Sequence, residues 1–423
     1  MYIGRYILNH IDKSRSFREV LAQRARNKGV LWVIAKTAQK IFVFLGWFLL
    51  LPISTLGHVL GFRRITISTD RIGHLAAEFD CFEKERRLGR LPSKRFWFVL
   101  APRDRIANLH LLNYWKPYIH VISHPLVCVL LKILTWKGFM VHDISGYILS
   151  FGERARYYEV NVAWGTRPPL LSLTAADRER THVLLTDLGL PAGAWYVCFH
   201  NRESGFSPQD EIIQSHRNTN IDNLIGAMQF VVSQGGWCVR MGDPTMKRLP
   251  PALGVVDYAH HSSRSEQADV LLCANSDYFV GTSSGLFIVA SVFGVPCALT
   301  NMIPAPTLGF SPSDIAIPKL LCRSFDHSTV SISSAFKAPL ANYRLSSQFR
   351  QAGVIPIENS SEEILDLVQE MHGVVNNTWH YHEIDETLQK RLSMLLKPDH
   401  YGYGAGSRTG AKFLRQHRVL LEE

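Results

Sequence analysis

Residues 278–300 read YFVGTSSGLFIVASVFGVPCALT. An apolar run ends in Gly281, the small residues Thr282, Ser283, Ser284 and Gly285 follow, and a second apolar stretch runs on to Gly294 before a third, Pro296–Thr300. Strand, turn, helix and strand in that order make a βαβ unit, and its crossover requires a parallel sheet. The turn has a chemistry of its own. Small residues let backbone N–H groups approach an anion, three hydroxyls donate to it, and a helix start favours negative charge. The same residues would also cap the helix without any ligand; the place of the turn, directly after a strand, favours the phosphate reading.

The same alternation continues on both sides. Upstream lie strand Trp195–His200, a helix over Ile221–Gln234, strands Trp237–Met241 and Val255–Tyr258, and a helix near Glu266–Ala274. Farther upstream come Ile65–Thr69, the turn Asp70-Arg71-Ile72-Gly73, a helix from His74, strand Phe96–Leu100, a helix near Arg105–Trp115 and strand Ile119–Ile122. Strands this short and this apolar on both faces suit buried parallel sheets. The Pro-, Thr- and Gly-rich stretch around 164–194 reads as the connection between two halves. The expected architecture is α/β, with two doubly wound parallel-sheet domains, 65–180 and 181–380, and a cleft between them. Helical patterns follow at Ser361–His372 and Ile384–Leu395, and residues 381–423, with the second of these and a Gly-rich tail (Tyr401-Gly-Tyr-Gly-Ala-Gly406), should pack across that cleft.

Ligands of such sheets sit outside the carboxyl ends of the strands. Besides the Thr282–Gly285 turn, two other strands deliver polar residues to that rim: HNRESG (200–205) with Arg202, and WCVRMGDP (237–244) with Arg240, Gly242 and Asp243. Arg217, in SHRN (215–218), adds a third guanidinium, a group that matches phosphate bidentately. In the first half, His74 stands at a helix start, where an imidazole facing the cleft takes a proton from an attacking hydroxyl. Asp70 is the rival base, and Glu78 and Asp80 follow along the helix.

Charge is uneven. Of the 46 Lys and Arg, eleven lie in residues 1–64 against only Asp12 and Glu19, while the remaining 35 nearly balance 34 acidic side chains, so the net +10 is a local feature. The basic residues surround Ile41–Phe62, a run without a single Asp, Glu, Lys or Arg. About 20 apolar residues span a bilayer, but Pro52 and the polar Ser54, Thr55, Gly57 and His58 favour a helical segment that dips into one leaflet beside anionic headgroups. Nucleic acid is not expected as a partner, because no recognised fold motif accompanies the charge. Seven scattered Cys with no C-x-x-C spacing indicate neither a disulfide framework nor a zinc site and point to a reducing compartment. There is no Walker A and no D-x-D, and His380-x-His382-Glu383 reads as a surface cluster, so neither metal nor cofactor is expected.

The segments FHNRESGF (199–206), SHRNTNID (215–222), GGWCVRMGDPTMKRLP (235–250), DYAHHSSRSEQADVLLCANSDYFVGTSSGL (257–286) and SVFGVPCALTNMIP (291–304) resemble a largely uncharacterised bacterial family of glycosyltransferases of the two-domain GT-B type. The likeness covers most of 65–420. A weaker one links the chain to lipopolysaccharide heptosyltransferases, whose first strand ends in a Gly-Asp turn carrying the base and whose donor turn is Asp-Thr-Gly. Here Gly73-His74 and Ser283-Ser284-Gly285 match those turns, and both aspartates are absent. His216-Arg217 is faintly similar to the His-x-Arg donor loops of fucosyltransferases. The resemblance implies a metal-independent transferase of cell-surface polysaccharide or lipopolysaccharide synthesis. It would take a nucleotide-sugar donor and a glycan or lipid-linked acceptor at the cytoplasmic face of the inner membrane. A sugar-nucleotide epimerase on the same fold and a non-catalytic membrane-bound scaffold are the alternatives.

Overall fold

The computed structural model describes residues 50–422, apart from 93–94, 136–139, 145–146, 148–154, 206–207 and 399, together with residues 35 and 38. The basic segment and the apolar run as far as residue 49 lie outside the described residues, those two positions aside. From Leu51 a helix runs to Val59 with Pro52 in its first turn, a position that proline suits. No helix among the described residues is long and apolar enough to cross a membrane.

The first sheet is fully parallel, with strands β1 (Phe62–Thr66), β2 (Phe96–Leu100), β3 (His120–Ile122) and β4 (Val141–Asp143) in the order β3-β2-β1-β4. The second has seven strands: β5 (Tyr196–His200), β6 (Trp237–Arg240), β7 (Val255–Val256), β8 (Tyr278–Gly281), β9 (Cys297–Met302), β10 (Ile315–Pro318) and β14 (Arg408–Thr409). Their order is β14-β10-β9-β8-β5-β6-β7, and every pairing is parallel. A small antiparallel sheet of β11 (Leu320–Arg323), β12 (Thr329–Val330) and β13 (Val354–Ile357) is appended to it. β5 and β8 are buried along their whole length, as strands covered on both faces must be.

Each large sheet reverses its strand order once. In the first, β2 and β3 lie to one side of β1 and β4 to the other; in the second, β6 and β7 lie to one side of β5 while β8, β9, β10 and β14 lie to the other. The loop after β1 and the loops after β5 and β8 therefore sit at the two topological switch points, where such sheets open a crevice.

Two readings change. The stretch 164–194 is not merely a connection, because Ala175–Asp187 is a helix whose N-cap Thr174 accepts from Asp177 N. The first domain also holds an element that periodicity did not reveal, the helix Pro125–Leu134 that carries the chain from β3 to β4. All seven cysteines are buried and free.

The helix Ile72–Arg87 is unusual in burying Glu78, Asp80, Glu83, Lys84 and Glu85. It packs against both the helix Leu286–Val292 and the helix Arg156–Trp164, and its charges are paired as burial demands. Lys84 Nζ lies 2.6 Å from Asp80 and donates to Asn161 at 2.8 Å, while Glu83 holds Arg86 and Arg87.

Candidate functional site

The two switch points face each other. Gly73, in the first turn of the helix after β1, meets Gly285, at the end of the turn after β8: a Cβ on Gly73 would stand 2.9 Å from Gly285 Cα, and one on Gly285 would stand 2.8 Å from Gly73 N. Only two glycines permit so close a backbone approach. The seam is reinforced nearby, where Asn108 donates to the Glu266 carbonyl at 2.7 Å and the Glu266 carboxylate accepts from Leu109 N at 3.0 Å.

On the first-domain side, His74 is adjacent to that contact and partly exposed, and its Nδ1 lies 2.6 Å from Oε1 of Glu78, one helical turn on. Glu78 is buried and also accepts from Ser68 N at 3.3 Å. A carboxylate only accepts, so Nδ1 donates, and in the neutral ring the lone pair is left on Nε2. An imidazole held by a carboxylate in this way can act as a general base. Asp70 is exposed on the same loop. Glu78 was visible in the sequence as a later residue of the helix; the i, i+4 spacing was the signal that it serves His74.

On the second-domain side, Ser284 Oγ lies 3.1 Å from Nδ1 of His200, the last residue of β5, whose Cα partner across the ladder is Gly281. His200 is buried and its pKa is pushed down to about 3, by burial first and then by the charge of Arg240. It is therefore a neutral partner of the turn. Thr282 is also buried, and its hydroxyl finds no hydrogen-bond partner among the described residues. Arg217 braces the turn from outside, donating from Nε and Nη2 to the Ser283 carbonyl.

Around this turn the fold gathers cations. Arg202 donates to the Gln214 carbonyl at 2.7 Å and to Asn218 at 2.9 Å. Lys319, buried just after β10, donates to the Asn218 carbonyl at 2.7 Å. Arg344 donates to the carbonyls of Ala341 and Tyr343, stacks 4.5 Å over the ring of Tyr401, and keeps its Nη2 buried without a partner among the described residues. His216 registers their joint field. Its pKa falls to about 3, through burial and then the charges of Arg217, Lys319, Arg202 and Arg344. Burial also lowers Lys319 to about 8, against the opposing pull of Glu358. Lys319 and Arg344 were not expected from the sequence; each is a single basic residue in an unremarkable segment.

Arg240 belongs elsewhere. Its side chain is fully buried, with Nη1 on Asp257 at 2.9 Å and Nη2 on Glu203 at 3.1 Å, so it ties β6 to two loops beneath the rim and offers no surface to a ligand. Gly242, at φ 150°, and Asp243 shape the loop after β6: Asp243 closes an Asx turn on Thr245 N at 2.9 Å, and a Cβ on Gly242 would strike Met246 Sδ. These two residues support the rim.

The Gly-rich tail reaches the site through Tyr401. Its carbonyl accepts from Ala155 N at 3.0 Å, and its ring meets Tyr157 and Tyr158. A cavity of about 450 Å³ lined in part by His110, Tyr114, Asp177 and Arg180 shares none of the rim residues. Tyr114 donates to Asp177 at 2.5 Å, Arg180 donates to it at 2.8 Å, and His110 Nε2 lies 3.4 Å from the same carboxylate. No group of three or more His, Cys, Asp or Glu among the described residues is arranged to hold a metal ion.

The chain matches no protein-family model, and no curated protein matches it in sequence. The solved structures to which the chain is similar include three glycosyltransferases. A glycosyl transferase family 9 protein from Veillonella parvula is 11% identical, with 74% of this chain and 98% of that one covered and a TM-score of 0.46. The ADP-heptose lipopolysaccharide heptosyltransferase II of E. coli is 12% identical, with 73% and 98% covered and a TM-score of 0.41. The dodecameric iron-containing glycosyltransferase TibC of enterotoxigenic E. coli is 14% identical, with 75% and 78% covered and a TM-score of 0.40.

Proposed function

We propose that the protein is a glycosyltransferase that moves a sugar from a nucleotide-sugar donor to a hydroxyl of a glycan or lipid-linked acceptor. The observation that carries this reading is the convergence of Arg202, Arg217, Lys319 and Arg344 around His216, beside the Thr282–Gly285 turn at the switch point of the second sheet. A diphosphate is the ligand that such a field and such a turn suit.

In the proposed reaction, the donor diphosphate lies against those cations. The acceptor enters from the first domain, and its hydroxyl proton passes to Nε2 of His74, which Glu78 orients; Asp70 is the rival base. A bond forms between the acceptor oxygen and the anomeric carbon as the bond from that carbon to the diphosphate oxygen breaks. The leaving electron pair stays on the nucleoside diphosphate, where the cations meet the charge that develops.

Product analysis with donor alone and with donor plus a lipid-linked glycan acceptor tests this. Transfer that needs the acceptor supports it. Conversion of the donor alone into an epimer replaces it with the epimerase reading, and no turnover or binding of any nucleotide sugar leaves the scaffold.

A further inference from the structure

The first domain carries an apolar surface on the side of its sheet occupied by two short helices. The helix Pro125–Leu134 reads PLVCVLLKIL: only Cys128 is buried, and Leu126, Val127, Val129 and Leu130 are between 41% and 75% exposed. The helix Leu51–Val59 buries only Ser54, which donates to the Leu134 carbonyl at 2.7 Å and ties the two helices together. It exposes Ile53, Leu56 and Val59 by 56% to 75%. Patches of this kind on a folded chain mark an interaction surface.

The surroundings favour one occupant. Val20–Thr69 and Arg105–His142, the stretches from which both helices come, contain no Asp or Glu in 50 and 38 residues, although the chain holds 36 acidic residues in all. They carry seven and four Lys or Arg respectively. Arg63, in β1 four residues beyond the first helix, has its pKa lowered by burial and then by the neighbouring charge of Arg95. Among the described residues Arg63 and Arg64 follow the first helix and Lys132 lies on the second, while burial and then the charge of Asp104 raise the pKa of the Cys128 thiol; an apolar face with this basic excess is complementary to anionic headgroups over acyl chains.

We propose that Ile53, Leu56, Val59, Leu126, Val129 and Leu130 form a face that docks flat on an anionic lipid bilayer. This assigns membrane contact to the helix between β3 and β4, a segment with no such role in the sequence reading, and it puts the acceptor domain against the membrane. It rests on the transferase reading only in making a lipid-linked acceptor the natural substrate.

Flotation of the full chain with phosphatidylglycerol-containing vesicles, against pure phosphatidylcholine vesicles, tests it. The wild type should float with the anionic vesicles alone. The double variant Leu126→Glu/Leu130→Glu should partition at least about tenfold more weakly, while Ile212→Glu, a change at an exposed site in the other domain, should float like the wild type. Both variants alter exposed side chains, and unchanged melting with an unchanged response to nucleotide sugars would show that fold and donor site are intact. A double variant that floats as well as the wild type overturns the proposal. So does a wild type that ignores vesicles and forms a dimer which the double variant splits, because the face then receives a second copy.

Discussion

Gly73 and Gly285 touch backbone to backbone across the domain seam, each leaving no room for a side chain on the other. The loop that presents His74 and the turn that presents Ser283 and Ser284 are therefore set against each other by the absence of two Cβ atoms.

Gly285→Ala should push the domains apart, because its Cβ would meet the amide of Gly73 and the Ile72 side chain, and backbone cannot swing aside. The expected cost is about 1–3 kcal/mol of stability, as for other overpacked sites. Turnover should fall more than donor affinity. Calorimetry and steady-state kinetics on the same variant check both.

His74→Ala should lower kcat by roughly 10²–10⁴-fold, the usual contribution of a positioned general base, with donor affinity unchanged. Glu78→Gln should give a smaller loss in kcat with the same unchanged affinity, because it keeps the shape and removes the carboxylate that orients the ring. If Asp70→Asn proves the damaging variant instead, the base assignment passes to Asp70.

Donor binding should weaken as pH rises through about 8. Free Lys319 titrates near that value because of burial, below the ordinary lysine value near 10.4. It is charged at pH 7 and neutral above about 8, where diphosphate binding must be accompanied by proton uptake. In the folded free protein this lowered pKa means fewer bound protons than in the unfolded chain between about 8 and 10.5, so its own effect on stability has the opposite sign and grows with pH there. Isothermal titration with a nucleotide sugar across this range, compared with Lys319→Met, separates the two; the variant should bind more weakly at pH 7 and lose this pH dependence.

Arg240→Met should damage folding and spare the ligand. Removing the guanidinium leaves Glu203 and Asp257 facing one another without it, and breaking a buried ion pair from one side costs about 3–5 kcal/mol. Urea denaturation should show that loss, while the nucleotide affinity of the protein that remains folded should be close to wild type.

These contrasts also explain what could be read from the sequence. The βαβ order and the turn at 282–285 were legible because a parallel strand, a run of small residues and an apolar helix each leave a local pattern. Pro125–Leu134 was not, because its ten residues hold Lys132 as their one charged side chain, and a short apolar run of this kind fits a buried strand as well as a helix. Arg240 misled because ending a strand is a local property, whereas its carboxylate partners lie 17 and 37 residues away. Lys319 and Arg344 were invisible for the converse reason: only the order of β9 and β10, and the stacking on Tyr401, bring them to a rim built more than 100 residues earlier by His200, Arg202 and Arg217.

Thermal denaturation of the full chain against UDP, GDP, ADP, CDP and their sugar conjugates measures most directly whether this rim takes a nucleotide sugar, since a ligand of the folded state raises the melting temperature by mass action. One nucleotide class should raise the melting temperature of the wild type and do so far less for a folded Lys319→Met variant. A cooperative melt that none of these compounds shifts would contradict the transferase reading.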